Sequence, residues 1–139
     1  MHASVKSRLN VRTPLALLVG FLASVSYGAE MLRIAATTTM VADLAQSVAG
    51  DRAKVSGLMG PGVDPHLYKA TAPDINTLQS ADLIFYNGLH LEGRLADILV
   101  KLGRRDKPVY AVTESIPEGK LLEPDEFQGH YDPHVWFDP

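Results

Sequence analysis

The sequence predicts an α/β fold, a four-stranded parallel sheet flanked by helices. Two observations lead there. Short apolar runs of strand length alternate with amphipathic stretches of helix length, in the order β-α-β-α-β-α-β. Strands separated by helical crossovers form parallel sheets that are covered on both faces. Length and composition agree with one such unit: 139 residues, 46% hydrophobic and 21% charged, are the proportions of an ordinary globular domain.

The elements follow in order. Leu32–Thr37 is the first strand. Thr38 or Thr39 caps a helix over Met40–Ala49, with Met40, Val41, Leu44 and Val48 expected on its buried face. Gly50-Asp51 ends it. Ala53–Met59 is the second strand, closed by a Gly60-Pro61-Gly62 turn. Thr71-Ala72-Pro73-Asp74 starts a helix to about Ser80, with a threonine cap, a first-turn proline and an acid at N3. Leu83–Tyr86 is the third strand and Asn87-Gly88 bounds it. The next helix spans Leu91–Leu102, lined by Leu91, Leu95, Ile98, Leu99 and Leu102. Lys107–Val112 is the fourth strand, and Thr113–Gly129 is irregular.

Charge and residue usage exclude several functions. Formal net charge is −3, with no basic stripe, which argues against a nucleic-acid partner. Cysteine is absent, so thiolate metal sites, cysteine nucleophiles, disulfides and a lipid-bearing cysteine are not expected. At the N-terminus, Lys6, Arg8 and Arg12 precede the apolar run Leu15–Val25. Ser26 and Gly28 are small residues placed for a cut after Gly28. Residues 1–28 are therefore expected to be a cleavable signal peptide, and the protein to be periplasmic.

Asp-Pro-His occurs twice, as Asp64-Pro65-His66 and as Asp132-Pro133-His134. Proline fixes its own φ and pushes the preceding residue toward extended geometry. Each tripeptide is thus a stiff loop that aims one imidazole. Ligands of parallel sheets sit at the carboxyl ends of the strands. His66 follows the second strand there, and His134 follows the fourth strand after a long loop that can return to that edge. His66 and His134 are the candidate metal ligands, since neutral imidazole suits zinc and works for manganese among carboxylates. Asp64 and Asp132 are read as Asx-type caps of their own turns. His90 is read as a turn or surface residue. His130 is read as an exposed loop residue, because Pro133 prevents a regular His-x-x-x-His helix. Trp136 is read as core. Gly60–Pro65 is a poor dinucleotide motif, with proline at its last glycine position.

Three blocks carry a family resemblance: Gly62-Val63-Asp64-Pro65-His66-Leu67-Tyr68-Lys69-Ala70-Thr71, the segment Ala81–Glu92, and Asp132-Pro133-His134-Val135-Trp136-Phe137-Asp138. In order and approximate spacing they resemble the manganese/zinc-binding solute receptors of bacterial ABC importers, the TroA-like and ZnuA-like group. The resemblance covers about residues 31–139. It implies two α/β lobes joined by a long helix, with the ion held between them. It also implies an ion, Mn²⁺ or Zn²⁺, that is cargo, with no catalytic cofactor, and partners comprising a membrane permease and its ATPase. The two first-lobe ligands carry over onto His66 and His134. The resemblance further implies that residues 29–139 are the first lobe and that the sequence stops before the linker helix and second lobe. The protein is then a monomeric binding component and no enzyme. An exported metal-dependent hydrolase and a secreted adhesion or interaction domain are the alternatives. Glu118–His130 contains several acids and one histidine, which tilts the expectation toward manganese or mixed metal use.

Overall fold

The computed structural model describes residues 30–127 and 129–137. The expected signal peptide, residues 1–28, lies outside the described residues. Among the described residues no helix is long and apolar enough to cross a membrane. The fold is the expected one. Strands β1 (Leu32–Ala36), β2 (Ala53–Gly57), β3 (Leu83–Tyr86) and β4 (Val109–Ala111) form one parallel sheet of order β2-β1-β3-β4. Helices α1 (Thr39–Ala49), α2 (Ala72–Ser80) and α3 (Leu95–Gly103) connect them.

Period-two alternation in β1 feeds two cores. Ala35 joins Met59, Leu78, Ala81, Ile84, Leu95 and Leu99 in one cluster, to which α2 and α3 contribute. Ile34 joins Ala45 and Ala53 in the other, with Leu83 and Phe85 against them. Helix α1 begins where Thr38, in extended geometry, accepts a hydrogen bond from the Val41 N–H at 3.3 Å. That satisfies one of the orphan donors of the first turn. Its packed residues are Val41 and Ala45, one turn apart. Leu44 and Val48, expected to be buried, are exposed instead. The helix is rotated so that its small residues meet the sheet. An apolar groove of about 400 Å³ remains beside Leu44, Val48, Ile34 and Phe85.

Helix α2 starts as expected. The Asp74 carboxylate accepts from both the Thr71 N–H and the Thr71 hydroxyl at 2.7 Å. It also accepts from Tyr68 at 2.8 Å. Burial pushes the Asp74 carboxyl up, but these donors outweigh it and hold the group below the usual range. Burial and the Asp74 partner push the Tyr68 phenol up to about 12.

Helix α3 departs from expectation at its start. It begins at Leu95, one turn after Leu91. Leu89, His90 and Gly93 have φ of 50°, 64° and 46°, and the left-handed region cannot continue a right-handed helix. The expected apolar stripe nonetheless survives: Leu91, Leu95 and Leu99 are buried, and Ile98 and Leu102 pack beside them. Strands β2 and β4 are shorter than read from the sequence. At the far end of β2, Leu58 and Met59 continue the ladder by donating to the Ala36 and Thr37 carbonyls.

Candidate metal site

The strand order creates one reversal. From β1 the chain steps to β2 on one side, then returns to β3 on the other. The crevice past the carboxyl ends of β1 and β3 is where such sheets bind ligands. Thr37 stands at the end of β1 and Asn87 at the end of β3, both buried.

A buried carboxylate organises this crevice. Glu92 is 1% exposed. Its Oε1 accepts from the Thr37 hydroxyl at 2.8 Å and from the Asn87 N–H at 2.5 Å, and its Oε2 accepts from the Gly88 N–H at 3.2 Å. The turn that leaves β3 is thus fastened to the end of β1. Gly88 has φ of 90°, and a Cβ there would lie 2.6 Å from the Thr113 hydroxyl oxygen. Only glycine passes between these groups. The Thr113 hydroxyl donates to the Asn87 carbonyl at 2.6 Å, tying β4 to the same turn.

Both Asp-Pro-His loops are anchored to this frame. Asn87 Nδ2 donates to the Pro133 carbonyl at 3.0 Å, which brings the distant second loop back over the sheet edge. The Asp132 N–H donates to the Leu122 carbonyl at 2.7 Å. The first loop leans on Gly93, where a Cβ would sit 2.5 Å from the His66 carbonyl oxygen. As a result the His66 and His134 rings stand with centroids 5.6 Å apart and planes inclined by 38°.

The two loops repeat one hydrogen-bond pattern. Asp64 Oδ1 accepts from the His66 N–H at 3.0 Å and faces His66 Nδ1 at 3.1 Å. Asp132 Oδ1 accepts from the His134 N–H at 2.9 Å and faces His134 Nδ1 at 2.7 Å. The aspartates therefore close Asx turns, as the sequence suggested, and do something further. An ionised carboxylate only accepts, so these contacts place a proton on each Nδ1, and in a neutral ring the lone pair is then on Nε2. The backbone N–H of His134, then its ring, hold the Asp132 carboxyl below the usual carboxylate range. A carboxylate behind an imidazole is the common arrangement for orienting a metal ligand.

Other sequence readings fare unevenly. Trp136 is half-buried rather than core, with its ring edge-on to His134 at 5.4 Å. It walls one side of that imidazole, and Phe127 lies 6.4 Å from the same ring. His90 and His130 are both exposed, as expected, but they stand together, with ring centroids 5.1 Å apart. The roles of Glu92 and Asn87 were missed. The available signal was an acid directly after Leu91, on the apolar stripe, four residues after Gly88. Among the described residues no group of three or more His, Cys, Asp or Glu side chains gathers in a form that would hold a metal ion.

Comparison with known proteins bears on this geometry. Residues 34–139 match the family described as zinc-uptake complex component A, periplasmic. The chain is 50% identical over 108 residues to the manganese-binding lipoprotein MntA of Bacillus subtilis, covering 78% of this chain and 35% of that protein. It is 49% identical over 105 residues to the zinc-binding protein TroA of Treponema pallidum, covering 76% and 33%. The solved structure of that TroA superposes with a TM-score of 0.72 at 47% identity, over 78% of this chain and 38% of the other. The chain spans about a third of the length of these curated relatives. MntA is named a lipoprotein, which runs against the expected export without a lipid-bearing cysteine.

Proposed function

Since the chain belongs to the periplasmic zinc-uptake component A family, we propose that it takes part in capturing a divalent ion, Mn²⁺ or Zn²⁺, outside the cytoplasm for an ABC importer. His66 and His134 are the ion's ligands in this reading. The observation that carries it is their pairing at 5.6 Å, each with an aspartate on Nδ1. One ion bonded at about 2.0–2.2 Å to an imidazole nitrogen of each ring spans such a separation. The carboxylates set the tautomer, turn each Nε2 toward the shared position and raise its basicity. The stiff Asp-Pro backbone limits the entropy lost when the rings engage.

The ion is cargo, so the protein performs no chemistry on it. Imidazole must be neutral to bind, so uptake falls as pH drops. A membrane permease and its ATPase are the partners this reading supplies. Residues 29–139 act as one ion-binding lobe, and residues 1–28 direct export. Raw affinity among first-row divalent ions generally follows the Irving–Williams order, which places zinc above manganese for such a site.

Metal titration of the purified chain tests the assignment. His66→Ala and His134→Ala should each weaken tight Zn²⁺ binding by about 100-fold or more, in line with loss of one of two protein ligands. Unchanged affinity in both variants would remove these residues from the site.

A further inference from the structure

His90 and His130 form a second pair of imidazoles, with centroids 5.1 Å apart and planes inclined by 62°. They come from segments far apart in the chain, and each segment is fastened. The turn carrying His90 is held by Glu92 through the Asn87 and Gly88 N–H groups. The loop carrying His130 is held by Asn87 through Pro133, and the His130 N–H itself donates to the Phe127 carbonyl at 3.1 Å.

The backbone under His90 is unusual. Leu89 and His90 are consecutive non-glycine residues at φ of 50° and 64°. Such conformations carry a cost that the surrounding contacts must offset. His90 leaves this turn exposed, with His130 beside it. Both residues are exposed, so solvent and ions reach this pair.

From this geometry we propose that His90 and His130 constitute a separate two-histidine site for Zn²⁺ beside the His66/His134 pair. Two imidazoles bound to one tetrahedral ion at about 2.0–2.1 Å have ring centroids about 5 Å apart. The observed centroid separation is the same, and rotation of the exposed rings about their side-chain bonds would bring one nitrogen of each to a shared ion. Water completes the coordination. Unlike His66 and His134, neither ring has a carboxylate behind it among the described residues. Loss of such a partner costs roughly 10–100-fold in affinity, so this site is the weaker and the faster to exchange. It holds an ion at an open surface. The proposal does not depend on the assignment of His66 and His134.

The test removes the first pair. In a full-length chain carrying His66→Ala and His134→Ala, Zn²⁺ titration followed by calorimetry should leave one equivalent, roughly 10–100-fold weaker than the tight site of the unaltered chain. Adding His90→Asn and His130→Ala should abolish it. Asparagine tolerates the left-handed backbone and keeps the turn, and circular dichroism confirms the fold of each variant. In the first variant, ring ¹⁵N resonances of His90 and His130 should shift together on addition of Zn²⁺. The proposal is overturned if no equivalent remains in the first variant, if the remaining one survives the second pair of substitutions, or if the two rings do not respond. In those cases the two rings are only edge-to-face neighbours.

Discussion

Two pairs of histidines lie at one edge of the sheet, and their surroundings differ. His66 and His134 each face a carboxylate two residues upstream, at 3.1 and 2.7 Å. Among the described residues, His90 and His130 face no such group, and both are exposed. The rings are about equally close in both pairs. If both pairs hold an ion as proposed, proximity alone does not rank them. The partner on the second ring nitrogen does, because it fixes the tautomer and the direction of the lone pair.

Both pairs are seated on the turn that Glu92 fastens, so removing it should weaken both while leaving their different backing in place. Glu92→Ala leaves two backbone N–H groups and one hydroxyl buried without their acceptor. Each such loss costs about 1–3 kcal/mol. Urea unfolding should show destabilisation on the order of 3 kcal/mol, with Zn²⁺ binding weakened at both pairs. A loss below about 1 kcal/mol would mean that another group takes over as acceptor.

A sharper contrast lies within the first pair. Asp132 is less exposed than Asp64, 28% against 54% for the side chains, and its contact with the ring is shorter. Asp132→Ala should lower Zn²⁺ affinity by about 10–100-fold. Asp64→Ala should lower it less, since solvent already competes for that ring. Equal losses, read by competition with a zinc-binding dye, would show that burial does not grade the two loops.

The smallest effect belongs to the opposite end of the sheet. Arg33 holds Asp82 through its side chain at 2.9 Å and its backbone N–H at 2.8 Å. These contacts lower the Asp82 carboxyl to about 2. The unfolded value is about 3.9. A depressed folded value means that the contribution is complete above about pH 4 and is lost as pH falls toward 2. The pair is exposed and screened, so the change in urea midpoint between pH 5 and pH 2.5 attributable to it should be small. Asp82→Asn should remove that part. If the variant shows the same acid sensitivity as the parent, the pair contributes nothing.

Part of the candidate site's geometry was legible before the fold was known. The repeated Asp-Pro-His singled out His66 and His134, the ligands proposed above, because a stiff loop ending in an imidazole is a local property. Strand β3 and helix α2 were placed correctly for similar reasons: a short apolar run before Asn87-Gly88, and Thr71 three residues before Asp74. The apolar face of α1 was misread at Leu44 and Val48, since helical periodicity names a face but not which side the sheet takes. The start of α3 was misread because the left-handed turn at residues 89–93 is imposed by Glu92 reaching back to Thr37, a contact between distant residues.

The sequence by itself determined the alternation of strands and helices, the caps, and two rigid loops each carrying a histidine. These follow from φ restrictions, side-chain period and short-range hydrogen bonds, which act over a few residues. Only the tertiary structure decided that β1 lies between β2 and β3, that Glu92 ties their ends together, and that the four histidines meet as two pairs with different backing. Those outcomes depend on which distant groups satisfy one another's hydrogen bonds once buried, and burial is a property of the assembled fold.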